Sequence, residues 1–547
     1  MVKQTARLVG GAGTGKTREL VNIMCRARGS LGGSPFAIGF ASFTRAARQE
    51  AAERTASEWG LPEGILTSAG WFRTCHSTAY RQLGVSQGEL LTTNKESQAW
   101  IAEALGVDVR AVFDPDTGST LYTGDRSAAS AINAWELSRA RVEPLRETVR
   151  GLAAIGERVG WSETLHYVTL YERAKRSQGR YDYSDLLSRF AGLRFTTEGV
   201  DEVEPEGECP NTVKAWVFDE CQDSSALVNR VCLRLAAADP VQWVYLAGDP
   251  FQSVFSFGGS DSKHFMNWKV DRQRIMEKSW RCPKPVLELG ERCLKQMREG
   301  YWDREISPAD HEGSVERSSS PSASISRVNP AEKTLIIARC KFTLGRYRDA
   351  LEAAGLPFGN LNDSDSTQAL RGYRAYWDIE HGEPVSGEDL ACAISMTPTK
   401  SLAGPLMRRG VKSEWSREDT ARRWDMVTRD DLYGIGFENT LIDQIEKGAW
   451  AGLVHGGERW RNSARRYGPE LATAPQIRLG TIHSTKGMEG ETVILSTETT
   501  KRISESQEVC QKSYDEERRV EYVGVTRARR RLIISDDPAN YSMRLPA

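Results

Sequence analysis

The sequence has few features of a membrane, secreted or metal-scaffold protein. No apolar run approaches the roughly 18–20 residues that a membrane-spanning helix requires. The N-terminus has no hydrophobic signal core, so we expect a cytoplasmic protein with no membrane partner. The ten cysteines include no CxxC pair and no Cys/His cluster with metal-ligand spacing. We interpret them as reduced thiols, which excludes a disulfide scaffold and a structural zinc module.

An excess of charge of one sign is also missing. Lys and Arg number 73 and Asp and Glu number 74, so the formal net charge is −1. Nucleic-acid binding would therefore depend on a local groove and not on overall basicity. With 39% hydrophobic and 27% charged residues, the composition is that of a soluble globular protein. At about 100–200 residues per domain, 547 residues should form three or four compact units.

Short apolar runs that end in polar or glycine-rich turns predict the strands of an α/β fold. One set lies at 6–9, 36–40, 216–218 and 243–247, and a second at 334–338, 477–481, 492–496 and 531–535. Two α/β cores, each split in sequence, are therefore expected. Amphipathic helical patterns dominate two long insertions between these runs. The serine-rich segment 318–326 is interpreted as a flexible connection.

The strongest local motif lies at residues 10–17, which read GGAGTGKT between a strand and a helical run. This is the pattern and the context of a P-loop. Backbone N–H groups and a helix N-terminus would hold phosphates there. Lys16 would reach the β- and γ-phosphates, and the Thr17 hydroxyl would bind Mg²⁺. The alternative is a glycine-rich turn followed by a chance Lys-Thr, and the flanking strand and helix favour the P-loop over it.

A P-loop enzyme also needs a carboxylate that holds the metal at the end of a neighbouring strand. The apolar run at 216–218 ends in Asp219 and Glu220, and the segment 219–223 reads DECQD. Asp219 would hold Mg²⁺ and its water, and Glu220 would polarise the attacking water. Together with the P-loop, this segment predicts ATP hydrolysis.

An ordered series of motifs resembles the superfamily 1A DNA helicases of the UvrD/Rep/PcrA type. Besides the P-loop and the DECQD box, the chain carries further segments, and together they stand in the order that this family uses. They are FTRAA at 43–47, TCHS at 74–77, GDPFQS at 248–253, WRCP at 280–283, TIHSTKGME at 481–489, EERR at 516–519 and YVGVTRA at 522–528.

The resemblance implies the fold and its division into domains. We expect two RecA-like P-loop cores, with ATP hydrolysed between them, and two mostly helical inserted subdomains. Core 1A would comprise 1–77 and 180–275, and core 2A would comprise 276–367 and 476–547. A helical accessory subdomain 1B would occupy 78–179, and a reduced accessory subdomain 2B would occupy 368–475.

The resemblance also implies the residues of the ATP site. Gln252 would sense the γ-phosphate, and Arg281 and Arg527 would act as arginine fingers from a separate domain. Trp280 would stack on adenine and Glu489 would bind the ribose. The predicted catalytic residues are Lys16, Glu220, Gln252, Arg281 and Arg527; the ATP-binding residues are Gly11, Ala12, Gly13, Thr14, Gly15, Lys16, Thr17, Arg18, Trp280 and Glu489; the Mg²⁺ ligands are Thr17 and Asp219.

Family members bind a single DNA strand through aromatic stacking and loop contacts. The matching positions here are Phe43, Thr44, Arg45, His76, Phe255, Phe257 and His483. The chain departs from the family at 257–259, where FGG replaces the usual WRG, so weaker stacking is expected. It also has no room before the P-loop for the family's adenine-reading segment, so we predict a weaker preference for ATP over GTP.

The sequence thus predicts an ATP-dependent 3′→5′ helicase or translocase that uses Mg²⁺ and binds single-stranded DNA and single-strand/duplex junctions. The polarity is inferred from the resemblance of the last two motifs to the UvrD-like branch. One alternative is a translocase, or a motor subunit that unwinds only with a protein partner. Another is an ATP-gated nucleic-acid-binding module without turnover. Stacking also leaves an RNA track open.

Overall fold

The structure is a computed structural model that describes residues 3–42, 45–114, 119–361, 364–536 and 541–546. The chain forms two compact units. The first comprises Met1–Gly313, Lys501–Arg527 and Leu545–Ala547, and the second comprises Ser314–Thr500 and Ala528–Arg544. Among the described residues, we find no helix with the length and apolarity to span a membrane.

A six-stranded parallel sheet forms the centre of the first unit. Its strand order is β10-β1-β9-β8-β2-β3. Strands β2 and β8 are buried along their whole length, as expected for a parallel sheet that is covered on both faces. The strands of this unit are β1 (Gln4–Gly10), β2 (Ile38–Ser42), β3 (Trp71–Arg73), β4 (Val109–Asp114), β5 (Ser119–Gly124), β6 (Leu193–Phe195), β7 (Val200–Glu202), β8 (Ala215–Asp219), β9 (Trp243–Gly248) and β10 (Arg272–Met276).

Twelve helices precede residue 313 in the described part of this unit. Several begin at a side chain that caps the helix; Asn94, for example, accepts a hydrogen bond from the Ser97 backbone. The helices are α1 (Lys16–Ser30), α2 (Arg45–Glu58), α3 (Ile65–Ser68), α4 (Cys75–Leu83), α5 (Lys95–Leu105), α6 (Arg126–Arg141), α7 (Leu145–Ala154), α8 (Trp161–Gln178), α9 (Tyr183–Ala191), α10 (Ala226–Ala237), α11 (Ser262–Met266) and α12 (Lys284–Lys295).

The insertion between β3 and β8 is mainly helical and also contains an antiparallel hairpin of β4 and β5, which the sequence analysis missed. Helices α6, α8 and α9 enclose a buried ion cluster. The Arg139 guanidinium donates to both carboxylate oxygens of Asp182, at 3.0 and 2.8 Å, and Lys175 contacts Asp182 at 2.7 Å. Three carboxylates there, Glu172, Asp182 and Asp185, lie close enough to share a metal ion. Arg139 and Lys175 already pair with all three, so we interpret the cluster as structural.

A second six-stranded parallel sheet, in the order β11-β18-β17-β12-β16-β13, forms the centre of the second unit. Helices and one short antiparallel hairpin lie between β13 and β16. The strands are β11 (Ser314–Ser318), β12 (Thr334–Ala338), β13 (Phe358–Asn360), β14 (Lys400–Ser401), β15 (Gly404–Pro405), β16 (Ile477–Thr481), β17 (Gly490–Ser496) and β18 (Ala528–Ser535). The helices are α13 (Pro321–Ile325), α14 (Leu344–Ala353), α15 (Ser364–Glu380), α16 (Gly387–Met396), α17 (Val411–Trp415), α18 (Glu418–Arg422), α19 (Leu432–Ile435), α20 (Asn439–Glu446), α21 (Gly457–Tyr467) and α22 (Pro469–Thr473).

The chain then returns to the first unit through α23 (Lys501–Val509) and α24 (Gln511–Val525). Helix α24 packs against α12. The predicted α/β fold with two RecA-like cores and inserted helical regions is confirmed by the two parallel sheets.

Two further features differ from the sequence analysis. The prediction of a flexible connection at 318–326 is wrong: Ser318 ends β11, and Ser320 caps α13 by accepting a hydrogen bond from the Ala323 backbone. The compact units also group residues 276–313 and 501–527 with the P-loop, whereas the predicted domains assign them to core 2A. The domain boundaries stay predictions.

Candidate functional site

The candidate site lies at one edge of the first sheet. Because all six strands are parallel, the loops that follow β1, β8, β9 and β10 leave from the same edge. These loops contain the P-loop, the DECQD box, the GDPFQS segment and the start of the WRCP segment. The topology thus brings together four motifs that are separated in the sequence.

The P-loop connects β1 to α1, which begins at Lys16. The Lys16 ammonium donates to the Gly10 carbonyl at 3.1 Å, and the Thr14 hydroxyl donates to the Gly11 carbonyl at 3.0 Å. Gly13 has a positive φ of 68°, and a Cβ atom there would overlap the Cβ of Arg281. Glycine is therefore required at this position both by the turn and by the close approach of the WRCP segment.

The segment that follows β10 is held against the P-loop by two hydrogen bonds, and a third lies within the segment. The Ser279 hydroxyl donates to the Ala12 carbonyl at 2.8 Å and accepts from the Cys282 backbone at 3.0 Å. The Trp280 backbone donates to the Gly13 carbonyl at 2.8 Å. These contacts place Trp280 and Arg281 beside the phosphate-binding loop.

The Trp280 side chain is 62% exposed, unlike the tryptophans of the core. The Lys278 ammonium lies 4.8 Å from the centre of the Trp280 ring, in a cation–π contact. Lys278 also pairs with Asp310, at 2.7 and 2.6 Å. An exposed ring next to the P-loop suits the predicted stacking on a nucleobase.

The two carboxylates of the DECQD box have different environments. Asp219 is buried at the end of β8, and burial together with the charge of Glu220 raises its pKa to about 7, against the opposing effect of Lys16. Glu220 has a left-handed backbone with φ of 53° and accepts a hydrogen bond from Gln222. The donor set predicted for a metal, the Asp219 carboxylate and the Thr17 hydroxyl, consists of the hard oxygen ligands that Mg²⁺ prefers.

The loop after β9 connects the sheet to an arginine of the YVGVTRA segment. The Gln252 amide donates to Asp249 at 2.9 Å, and Arg527 donates to the Gln252 amide oxygen at 3.4 Å. Arg527 also donates to the Val523 carbonyl at 3.0 Å. Burial and the nearby charge of Arg281 lower the pKa of Arg527 to about 10. This concentration of positive charge favours an anion at the site.

Sequence reasoning missed Arg304 and Tyr522. The Arg304 side chain is 1% exposed and donates to Asp249 at 2.6 Å. The Tyr522 hydroxyl accepts from the Ala12 backbone N–H at 3.0 Å and donates to Asp249 at 3.4 Å. Tyr522 lies inside a quoted motif, whereas Arg304 lies in the irregular segment between α12 and β11.

The predicted DNA contacts come from several separate segments of the chain. Phe43 and Thr44 lie outside the described residues, and Arg45 begins α2. His76, in α4, has its ring 5.9 Å from that of Tyr183. Phe255 is 5% exposed and Phe257 is 50% exposed, with their rings edge-on at 6.2 Å. Of this pair, Phe257 is the one accessible to a base.

Two predicted residues belong to the second unit. His483 follows β16 and is buried. Glu489 precedes β17 and pairs with Arg529 at 3.3 Å. Their assigned roles in DNA binding and ribose binding stay predictions.

The fold and the site define a P-loop ATPase built from RecA-like cores. Two family models match the chain: the UvrD/REP helicase N-terminal domain over residues 1–273 and the UvrD-like helicase C-terminal domain over residues 465–537. The chain belongs to the UvrD/Rep/PcrA-like family of superfamily 1 helicases, as its motifs predicted.

Curated relatives carry helicase names. The ATP-dependent DNA helicase UvrD2 of Mycobacterium tuberculosis (strain ATCC 25618 / H37Rv) is 24% identical over 593 residues, which cover 96% of this chain and 76% of that protein. The ATP-dependent DNA helicase srs2 of Schizosaccharomyces pombe is 22% identical over 307 residues, which cover 53% of this chain and 33% of that protein.

Proposed function

We propose that this ATP-dependent DNA helicase moves 3′→5′ along single-stranded DNA and opens duplex at single-strand/duplex junctions. The convergence at one sheet edge of the P-loop, the DECQD carboxylates, Gln252, Arg281 and Arg527 supports the proposal. The polarity rests on the resemblance of the last two motifs to the UvrD-like branch. The cytoplasmic location expected from the sequence stays a prediction.

The residues of the site divide the chemistry of hydrolysis among them. The P-loop N–H groups and Lys16 hold the phosphates, while Arg281 and Arg527 neutralise charge that develops on the γ-phosphoryl group. Glu220 polarises the attacking water, and Gln252, which is hydrogen-bonded to Asp249 and Arg527, senses the γ-phosphate. Thr17 and Asp219 would hold Mg²⁺, which neutralises phosphate charge when bound.

The loop after β9 offers a short connection between hydrolysis and DNA. Gln252 lies five residues before Phe257, whose exposed ring suits stacking on a base. A change in the contacts of Gln252 after hydrolysis would shift the backbone that carries Phe257. We propose that this loop, together with the segments of His76 and His483, transmits the nucleotide state to the DNA strand.

The first test is steady-state ATP hydrolysis with and without single-stranded DNA, with Lys16→Ala as the matched variant. We expect DNA to stimulate hydrolysis strongly in the wild type and Lys16→Ala to abolish it, because the phosphates lose their main side-chain contact. Turnover at the level of Lys16→Ala in the presence of DNA would favour the gated-binding alternative.

A second experiment tests unwinding and polarity with a pair of tailed duplexes. Two duplexes of identical sequence, one with a 3′ single-stranded tail and one with a 5′ tail, are incubated with the isolated protein and ATP. We expect separation of the 3′-tailed duplex alone. Preference for the 5′ tail would contradict the polarity, and DNA-stimulated hydrolysis without separation of either duplex would favour a translocase that needs a partner.

A further inference from the structure

Arg304 is a buried cation at the edge of the candidate ATP site. Its guanidinium donates to Asp249 at 2.6 Å, to Glu291 at 2.8 Å and to the Tyr522 hydroxyl at 3.2 Å. It also lies over the Phe251 ring at 4.5 Å. Burial acts to lower the pKa of Arg304, but Asp249, Tyr522 and Glu291 together outweigh burial and the pKa is raised. Arg304 is therefore a permanent cation that three elements hold in place.

The partners of Arg304 are also partners of the predicted catalytic machinery. Asp249, which is fully buried, accepts from Arg304 through one carboxylate oxygen and from the Gln252 amide through the other. Tyr522 accepts from Arg304 and from the Ala12 backbone of the P-loop. Arg304 thus lies two hydrogen bonds from Gln252 and two from the P-loop backbone.

Close packing supports the same connection. A Cβ atom on Gly11 would overlap Ile306 and would lie 3.3 Å from the Arg304 guanidinium and 3.4 Å from the Tyr522 hydroxyl. The segment that carries Arg304 therefore packs directly against the P-loop. A displacement of Arg304 would change the position of Asp249, of the Tyr522 hydroxyl and of the turn at Gly11.

We infer that Arg304 is a positioning residue for ATP hydrolysis, which fixes Gln252 through Asp249 and the P-loop through Tyr522. This inference rests on the proposed function, because it assigns Arg304 a role in the same reaction. Arginine suits the role because its planar fork reaches Asp249, Glu291 and Tyr522 at once, whereas lysine has a single ammonium group. Arg304 does not contact the phosphates and acts only through these partners.

The test measures kcat and KM for DNA-stimulated ATP hydrolysis in Arg304→Lys, with Gln252→Ala as a second background. Because the lysine keeps the charge but loses the fork, we expect kcat to fall about tenfold while KM changes less than about twofold. If Arg304 acts through Gln252, the same substitution in Gln252→Ala should lower kcat less than about twofold further. A residue that only stabilises the fold would give equal losses in both backgrounds.

Tyr522→Phe provides a second variant in case Arg304→Lys fails to fold. It keeps the ring and removes only the hydroxyl, which contacts Arg304 and also donates to Asp249, the partner of Gln252. We therefore expect a kcat about threefold lower and the same dependence on Gln252. An unchanged kcat in a folded variant would overturn the inference while leaving the proposed function intact. The same holds if either substitution lowers kcat as much in the Gln252→Ala background as in the wild type. If the wild type shows no DNA-stimulated hydrolysis, the inference and the proposed function are both wrong.

Discussion

Arg139 and Arg304 are both buried arginines that pair with carboxylates, but they lie in different kinds of structure. Arg139 joins α6 to α9 inside the insertion, with partners that are all part of the helices or their caps. Arg304 lies in an irregular segment, and its partners Asp249 and Tyr522 belong to the loop after β9 and to α24. The comparison teaches that the elements joined by a buried ion pair, and not the pair itself, indicate whether it stabilises a fold or positions a site.

The two networks also differ in charge. Around Arg139, two cations face four carboxylates, Glu136, Glu172, Asp182 and Asp185. Around Arg304, one cation faces Asp249 and Glu291 with a tyrosine hydroxyl beside them. The Arg139 cluster should therefore respond more strongly to the loss of a cation.

The largest expected effect is that of Arg139→Met on stability. Removing this guanidinium leaves buried carboxylates without their main partner, which should lower the free energy of unfolding by about 3–5 kcal/mol. Denaturant titration of the full chain, followed by tryptophan fluorescence, measures this loss. We expect kcat at a temperature well below the melting transition to stay within about twofold of the wild type. A tenfold fall in kcat in the folded variant would remove the distinction between the two arginines.

Glu291→Gln should have a moderate effect and tests the comparison within the Arg304 network. Arg304 keeps its contact with Asp249, which in turn holds Gln252. The side-chain oxygen of the new glutamine can still accept the hydrogen bond that Arg304 donates to Glu291. We expect kcat to fall less than about threefold and the free energy of unfolding to change by about 1 kcal/mol. The measurement is steady-state hydrolysis with a parallel denaturant titration. A loss as large as that of Arg304→Lys would show that Glu291, and not Asp249, is the main partner.

The smallest expected effect is a change in the pH dependence of stability in Glu136→Gln. Burial raises the pKa of Glu136 from 4.5 to about 7, with the charge of Arg139 opposing it. The folded state therefore binds this proton more tightly than the unfolded state, so the contribution of Glu136 is present below pH 4.5 and is lost as the pH rises to about 7.

The melting temperature of Glu136→Gln relative to the wild type should therefore rise between about pH 5 and pH 7 and level off above that window. Asp185, whose pKa burial and the charge of Asp182 raise to about 6, titrates in both proteins. Thermal melts at several pH values measure the difference. A difference that falls with rising pH would contradict the raised pKa of Glu136.

Local patterns were sufficient to predict eight of the twelve strands of the two central sheets, and the motif loops. Each of the eight predicted apolar runs overlaps an observed strand, because buried parallel strands read as short apolar runs. The hairpin of β4 and β5 carried a signal that the analysis passed over, an alternation of buried Val109 and Ala111 with exposed Arg110.

Arg304 could not be predicted in this way. Nothing in the sequence around it distinguishes a buried cation from an exposed one, and its partners Asp249 and Tyr522 lie 55 and 218 residues away. Its environment arises only when the loop after β9, α12 and α24 pack together. The same is true of the Tyr522 hydroxyl, since the motif predicted the segment but not its hydrogen bond to the P-loop backbone.

The hydrogen bond between the Ala12 backbone and Tyr522 spans 510 residues of chain. At about 5–20 residues per second, a ribosome needs roughly 25–100 s to make the intervening polypeptide. Throughout that time the nascent P-loop lacks Tyr522 and Arg527, although β1, β9 and β10 have all been made once synthesis passes Met276, about halfway through. Newly made protein should therefore pass through a stage in which the first sheet has formed and nucleotide turnover has not begun.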